Sequence, residues 1–321
     1  MPAPAPAQTA SPDAAIPVPS TIPGSIIRAS EQAGELPDAV QTLTSLTAAD
    51  ARFDVERLMN ILRDKRHEGW VLAAYPDPKT GQPLIGAGFS LDLPERIHLQ
   101  RDPLNSHPFL EPSSAELWRA AGLQPARLDA ILGEFHDRLD AWDKKGFRRQ
   151  IWSLEPQITE EDANALLRVG IVQAIYNAKA YCRNFDRLTA SQQMAMTQLV
   201  YQMGVNLEQF STFLGLINRS NGNGPDESAL ARADAHYWKS VQLSLVQSQW
   251  ARLYRDRAKA VIAMLDPNYG MNPSGAEHSV SRVLRPTRTR HAHGATLRKA
   301  SYTTRQHGAA AKKRSARTRK N

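Results

Sequence analysis

Apolar residues recur at Val55, Leu58, Met59 and Leu62 within "DVERLMNILRDKRHEGW", the spacing of one helix face. Gly69 follows the last charged turn, where a helix stop is expected. The next stretch, "YPDPKTGQP", is rich in turn residues, and "LIGAGFSLD" after it is short and strand-like. Between residues 93 and 156 the periodicity weakens, although "SSAELWRAAGLQPARLDAILGEFHDRLDAW" reads as two helical pieces. Beyond Pro156 the pattern sharpens. Thr159 precedes three acids and a long amphipathic run, the signature of a capped helix start. "TASQQMAMTQLVYQMG" predicts a helix capped by Thr189 or Ser191 and stopped at Gly204. "EQFSTFLGLINRSNGNG" predicts a third, and "SQWARLYRDRAKAVIAMLDP" a last one ending before Pro267. The body is therefore expected to be mainly α, with one small β element near residues 75 to 92.

The flanks read differently. Residues 1–50 are rich in Pro, Ala, Ser and Thr and are expected to form a disordered or polyproline-like arm. From about 268 the apolar period fades into a low-complexity cationic tail, also expected to be disordered. A folded domain is thus expected at 51–267, with 93–156 as an insert. A hydrophobic content of 41% suffices for its core. The net charge of +8 belongs to the tail. From Arg282 onward lie 13 of the 40 Lys and Arg residues and no acid, leaving 27 basic against 32 acidic side chains before it. No run of about 18 apolar residues exists, so no transmembrane helix is expected. The first residues lack a cationic region followed by an apolar stretch, so an ordinary secretory signal is not expected. Cys182, the single cysteine, excludes an intramolecular disulfide and reads as a small buried hydrophobe.

Glycoside hydrolysis usually needs two carboxyl groups across the scissile bond, one protonated as the acid and one ionised. Glu68, at a helix end against apolar neighbours, and Asp77, on a polar turn, fit those two environments. Spacing alone leaves plain readings open: a surface helix can end in Glu, "PDPKTG" is a generic turn, Trp250 fits a core position and Arg257 a helix surface.

The segment "EGWVLAAYPDPKTGQPLIGAG" resembles the active-site segment of the phage-type lysozymes, the muramidases of tailed phages. In that family a catalytic Glu-Gly ends the first long helix, a Tyr-x-Asp turn follows, and then an Ile-Gly-x-Gly strand. The matching residues are Glu68-Gly69, Tyr75-Pro76-Asp77 and Ile85-Gly86-Ala87-Gly88. "ITEEDANALL" looks like the helix start after the family's small lobe, and "LVYQMGVNLEQFSTFL" is similar to its central helix and following turn. "WARLYRDRAKAVI" looks like the closing helix, with Trp250 and Arg257 seven residues apart as in the family. Four segments occur in the family's order, over about 54–92 and 157–265.

The resemblance implies a two-lobed lysozyme-like domain, the small lobe carrying the β turn and the large lobe a helical bundle. It implies cleavage of the β-1,4 bond from N-acetylmuramic acid to N-acetylglucosamine in peptidoglycan, with no cofactor. Glu68 would be the general acid, Asp77 the second carboxylate, Arg257 a cation close to Glu68 and Gln202 a cleft residue; Trp250 would support the site. Two departures stand out. Where the family carries a threonine that positions the hydrolytic water, this chain has Leu84, and Thr80 sits in a loop one residue longer. The segment before "ITEEDA" is also much longer than usual. Without a hydroxyl at the water site the same fold would act as a lytic transglycosylase, which needs chiefly the acid. A further alternative is a catalytically inactive wall-binding protein whose tail is the main actor.

The tail has one aromatic, Tyr302, and no folded reader around it, so specific nucleic-acid recognition is not expected. Anionic envelope polymers are the preferred tail partner of a wall-degrading monomer; a solvated tail with no partner is the alternative. Such an enzyme would be made in the cytoplasm and reach the wall by release, injection or non-classical export. The histidines, among them His67, His98, His107 and His136, show no ligand spacing, so no metal is expected.

Overall fold

The computed structural model describes residues 37–45, 51–64, 69–78, 80–142, 150–151, 153–219 and 235–284. Among them helices dominate, with one three-stranded antiparallel sheet. Helix α1 spans Pro37–Ser45 and α2 Val55–Arg63. The strands are β1 Val71–Pro76, β2 Pro83–Gly86 and β3 Phe89–Ser90. Helices α3 (Ser114–Ala120) and α4 (Pro125–Leu139) follow, then the long α5 (Glu160–Tyr181) and α6 (Ala190–Met203). A short α7 (Ser211–Ile217) precedes α8 (Ala235–Val246), α9 (Gln249–Leu253), α10 (Arg255–Met264) and α11 (Pro273–Leu284).

Two cores hold these elements. The first is helical: Leu58 and Met59 of α2 pack with Ile171 and Ile175 of α5, Leu199 of α6, Trp238 of α8 and Ile262 of α10. Cys182 is buried there, as expected of a small hydrophobe. The second core joins the sheet to α3 and α4: Ile85, Phe89 and Leu91 meet Trp118, Leu128, Ile131 and Phe135. Ala163 and Leu166 of α5 close it. The two helical pieces read in the 93–156 segment thus supply much of this second core, called the small-lobe core below.

The strand order is β1-β2-β3. Tyr75 faces Leu84 and Val71 faces Gly86, with an irregularity between the two pairs. Side chains alternate along a strand. Ile85 enters the small-lobe core, so Leu84 and Gly86 lie on the other face.

Helix starts follow the sequence closely. Thr159 accepts from Asp162 N–H and Thr189 from Gln192 N–H, each completing a capping box. Gly204 ends α6 with φ of +49°, a backbone that favours glycine.

Helix ends and flanks bring corrections. Helix α2 stops at Arg63, not at Gly69, because Asp64 turns extended, with ψ of 133°. The expected single closing helix is two, since Tyr254 (φ −117°, ψ 52°) interrupts it between α9 and α10. Helix α1 lies inside the expected N-terminal arm and α11 inside the expected tail. Leu43 buries itself in the small-lobe core, and Ala276 and Val280, one turn apart, pack into the helical core. One or two anchors per helix make a pattern too sparse to read. The rest of the arm and tail, 1–36, 46–50 and 285–321, lies outside the described residues. Among the described residues no helix is long and apolar enough to cross a membrane.

Glu116 sets a pH test of the small lobe. It is fully buried, accepting from Ser113 N–H at 2.7 Å and Ser113 Oγ at 2.9 Å, while its Oε1 has no hydrogen-bond partner. Burial pushes its carboxyl above the ordinary value of 4.5. A raised folded-state pKa stabilises the fold below the unfolded value and forfeits that stability as pH climbs through the folded one. Glu116→Gln keeps the capping geometry and cannot ionise. Its stability relative to wild type should rise between pH 4 and pH 7, by about 1 kcal/mol. Paired thermal melts across that range are the check; a flat difference would show that desolvation of Glu116 is immaterial.

Candidate active site

The turn between β1 and β2 is built by its own sequence. Pro76 and Pro78 flank Asp77, whose N–H donates to Gln82 O at 2.8 Å. Gly81 N–H donates to Asp77 O at 2.9 Å, and Thr80 N–H to Asp77 Oδ1 at 2.8 Å. The side chain thus folds back on its own loop, accepting from the N–H three residues on. Gly81 takes φ of +75°, which closes the turn. Asp77 is half-buried and Thr80 exposed. The Thr80 hydroxyl accepts from Gln82 N–H at 3.3 Å.

The facing bank comes from the helical lobe. Gln202 is in the last turn of α6, Trp250 in α9 and Arg257 in the first turn of α10. Trp250 Nε1 donates to Gln202 Oε1 at 3.2 Å. Tyr254, at the break between α9 and α10, lies under Arg257, whose guanidinium carbon is 5.8 Å from the ring centroid. Arg257 is only 7% exposed, which overturns the helix-surface reading for it. Burying a guanidinium is costly, and the Tyr254 ring beside it offsets part of that cost.

A groove of about 750 Å³ runs between these banks, lined by Thr80 from the small lobe and by Met203, Phe210, Trp250 and Tyr254 from the large one. Of the expected site residues, Thr80 and Trp250 line this groove; Gln202 reaches it through its bond to Trp250, and Asp77 and Arg257 are not among the lining residues. Trp250 also packs in the helical core, as its core reading expects. Leu84 is half-buried on β2, between Tyr75 and Ser90 in the ladder. Leu84 is not among the groove's lining residues, whereas Thr80 is, together with Ser211, Thr212, Ser244, Ser248 and Tyr254. Glu68 lies outside the described residues. Its neighbour Gly69 precedes β1 with φ of +84° and donates to Asp64 O at 3.3 Å.

Tyr254 was not legible as a site residue, because a tyrosine inside an expected continuous helix carries no signal of a break. Tyr201 was equally silent; its hydroxyl donates to Ala87 O at 3.1 Å and so ties α6 to the loop between β2 and β3. Among the described residues no cluster of three or more His, Cys, Asp or Glu is placed to hold a metal ion. No protein-family model matches the chain, and no curated protein matches it in sequence.

The Trp250–Gln202 bond can be tested directly. Trp250→Phe keeps most of the ring and removes the donor. A cycle with Gln202→Ala should give a coupling of about 1 kcal/mol in denaturant unfolding. A coupling near zero would mean that the two side chains are neighbours without mutual support.

Proposed function

We propose that this chain is a peptidoglycan glycan-strand hydrolase, a lysozyme that cuts the β-1,4 bond from N-acetylmuramic acid to N-acetylglucosamine. The observation that supports the reading is a groove lined by Thr80 of the Asp77 turn and by Trp250 and Tyr254, which Gln202 and Arg257 back from behind. Its two sides come from segments distant in sequence, Thr80 on one and Trp250 with Tyr254 on the other. A sugar polymer fits such a site: aromatic faces stack on pyranose rings, and amides and hydroxyls serve the ring substituents.

In this mechanism Glu68 protonates the glycosidic oxygen as the bond breaks, and Asp77 supports the oxocarbenium-like charge or the attacking water. Thr80 supplies a hydroxyl on the Asp77 side of the groove. Arg257 stands as the nearby cation, and Gln202 and Trp250 hold the wall against the sugar. The basic tail adds attraction to anionic envelope polymers, weakened by salt. A second reading, lytic transglycosylation on the same bond, is favoured by one observation. Leu84 is an apolar strand residue at the place where the resembling family has its water-positioning threonine.

Digestion of purified peptidoglycan, with mass spectrometry of the soluble fragments, tests both. Wild type should release fragments with reducing ends. Glu68→Gln should lower the rate by about 10²- to 10⁴-fold with the fold intact, and Asp77→Asn should also slow it. Anhydro-muramic ends would move the reaction to transglycosylation. Undiminished release by Glu68→Gln would end the role given to that residue.

A further inference from the structure

The chain from Leu93 to Ser113 contains no helix or strand, yet it is fastened throughout. At its base Leu93 N–H donates to Ser114 Oγ at 2.8 Å, Ser114 N–H to Leu93 O at 2.8 Å and Arg96 N–H to Glu111 O at 2.9 Å. From this base on the small lobe the loop crosses to the large one. Asn177 of α5 accepts from Leu110 N–H at 2.8 Å and donates to Leu110 O at 2.9 Å. The Asn105 amide donates to Lys179 O at 2.9 Å and to Ala180 O at 2.7 Å, and Gln100 also reaches Ala180 O, at 3.0 Å. Those carbonyls end α5 and have no partner within the helix, so the loop caps it. His98 stacks on Phe109 with centroids 3.6 Å apart and meets Glu208 at 2.7 Å, in the 3₁₀ turn after α6. Arg101 joins Glu208 at 2.9 Å and Asp102 joins Arg183 at 3.0 Å.

A cavity of about 200 Å³ lies beneath this crossing, lined by Ser90 of β3, Arg96 and Glu111 of the loop, Asn177 of α5, and Tyr201 and Gly204 at the end of α6. Consecutive residues of the α6 end line the two hollows, Met203 the groove described above and Gly204 the cavity. The cavity's lining is largely apolar, with Phe89, Leu93, Leu117 and Val200, and carries a few polar groups, the mix that a pyranose ring presents. Ser90 Oγ is buried with no hydrogen-bond partner, and a buried orphan hydroxyl calls for a ligand or a water. Glu111 presents a carboxyl that burial pushes above its ordinary value.

We propose that the 93–113 loop is a strap closing one end of the saccharide groove, and that the cavity under it receives the terminal sugar of a glycan strand. The enzyme then works from strand ends and releases short fragments of one size, because an open groove lets a polymer pass through while a walled one admits only an end. This rests on the glycosidase reading above.

The test uses long glycan strands stripped of peptides and follows fragment length with time for the full chain. Wild type should release short fragments of one length from the first sample. Replacing residues 97–108 by a two-glycine turn should give a broad ladder of lengths at the same early times. Arg96→Ala leaves the backbone bond to Glu111 intact; it should leave the melting temperature unchanged and raise KM several-fold with kcat little altered. A broad early ladder from active wild type would overturn the strap, as would an unchanged one-size pattern in a folded strapless variant. If the strapless protein does not fold, the wild-type time course and the KM of Arg96→Ala decide. No fragments from folded wild type would overturn the glycosidase reading, and this proposal with it.

Discussion

One helix serves two hydrophobic cores, and the rest of the structure depends on that sharing. The 22 residues of α5 place Ala163 and Leu166 in the small-lobe core and Leu167, Ile171, Ala174 and Ile175 in the helical one. At about 1.5 Å per residue it is roughly 33 Å long, enough to act as a common spine. Neither lobe can move off it without exposing apolar surface at about 25 cal/mol per Å². The separation of the lobes, and so the existence of a groove between them, follows from that one element. The Lys179 and Ala180 carbonyls near its end take the amides of Asn105 and Gln100, so the spine also anchors the crossing loop.

The candidate site collects local devices that work only once the spine has aligned them. The Asp77 turn closes on its own hydrogen bonds and would form wherever its hairpin formed. The opposite bank needs three separate helices to converge, and the Trp250–Gln202 bond joins residues 48 positions apart. Arg257 adds a buried charge over Tyr254, in a place that only the break between α9 and α10 makes possible. A continuous helix would set Trp250 and Arg257 two turns apart on one face; the interruption lets Tyr254 enter the groove wall.

Legibility in the sequence tracked the range of the interaction. Thr159 and Thr189 announced their helices because a cap bonds within three residues. Gly204 announced a stop because a positive φ has a residue preference. The turn around Asp77 showed itself through its prolines and glycine for the same reason. Helix α2 was read too long, since Asp64 leaves the helix without any breaker residue to mark it. Helices α1 and α11 were read as parts of unstructured flanks, since Leu43, Ala276 and Val280 matter only once a partner surface exists. The 93–113 loop was unreadable because bonds from side-chain amides and histidine to distant carbonyls and carboxylates leave no period.

The sequence by itself determined the mainly helical character, most helix starts, the small β hairpin and the chemistry on offer at Asp77, Thr80, Gln202, Trp250 and Arg257. Those depend on local propensity and on residue type, which are carried within a few positions. Only the tertiary structure decided that Arg257 is buried, that Thr80 rather than Leu84 lines the groove, and that the 93–113 segment bridges the lobes. Each of those outcomes turns on which surfaces meet, and that is set by burying two cores along one shared helix.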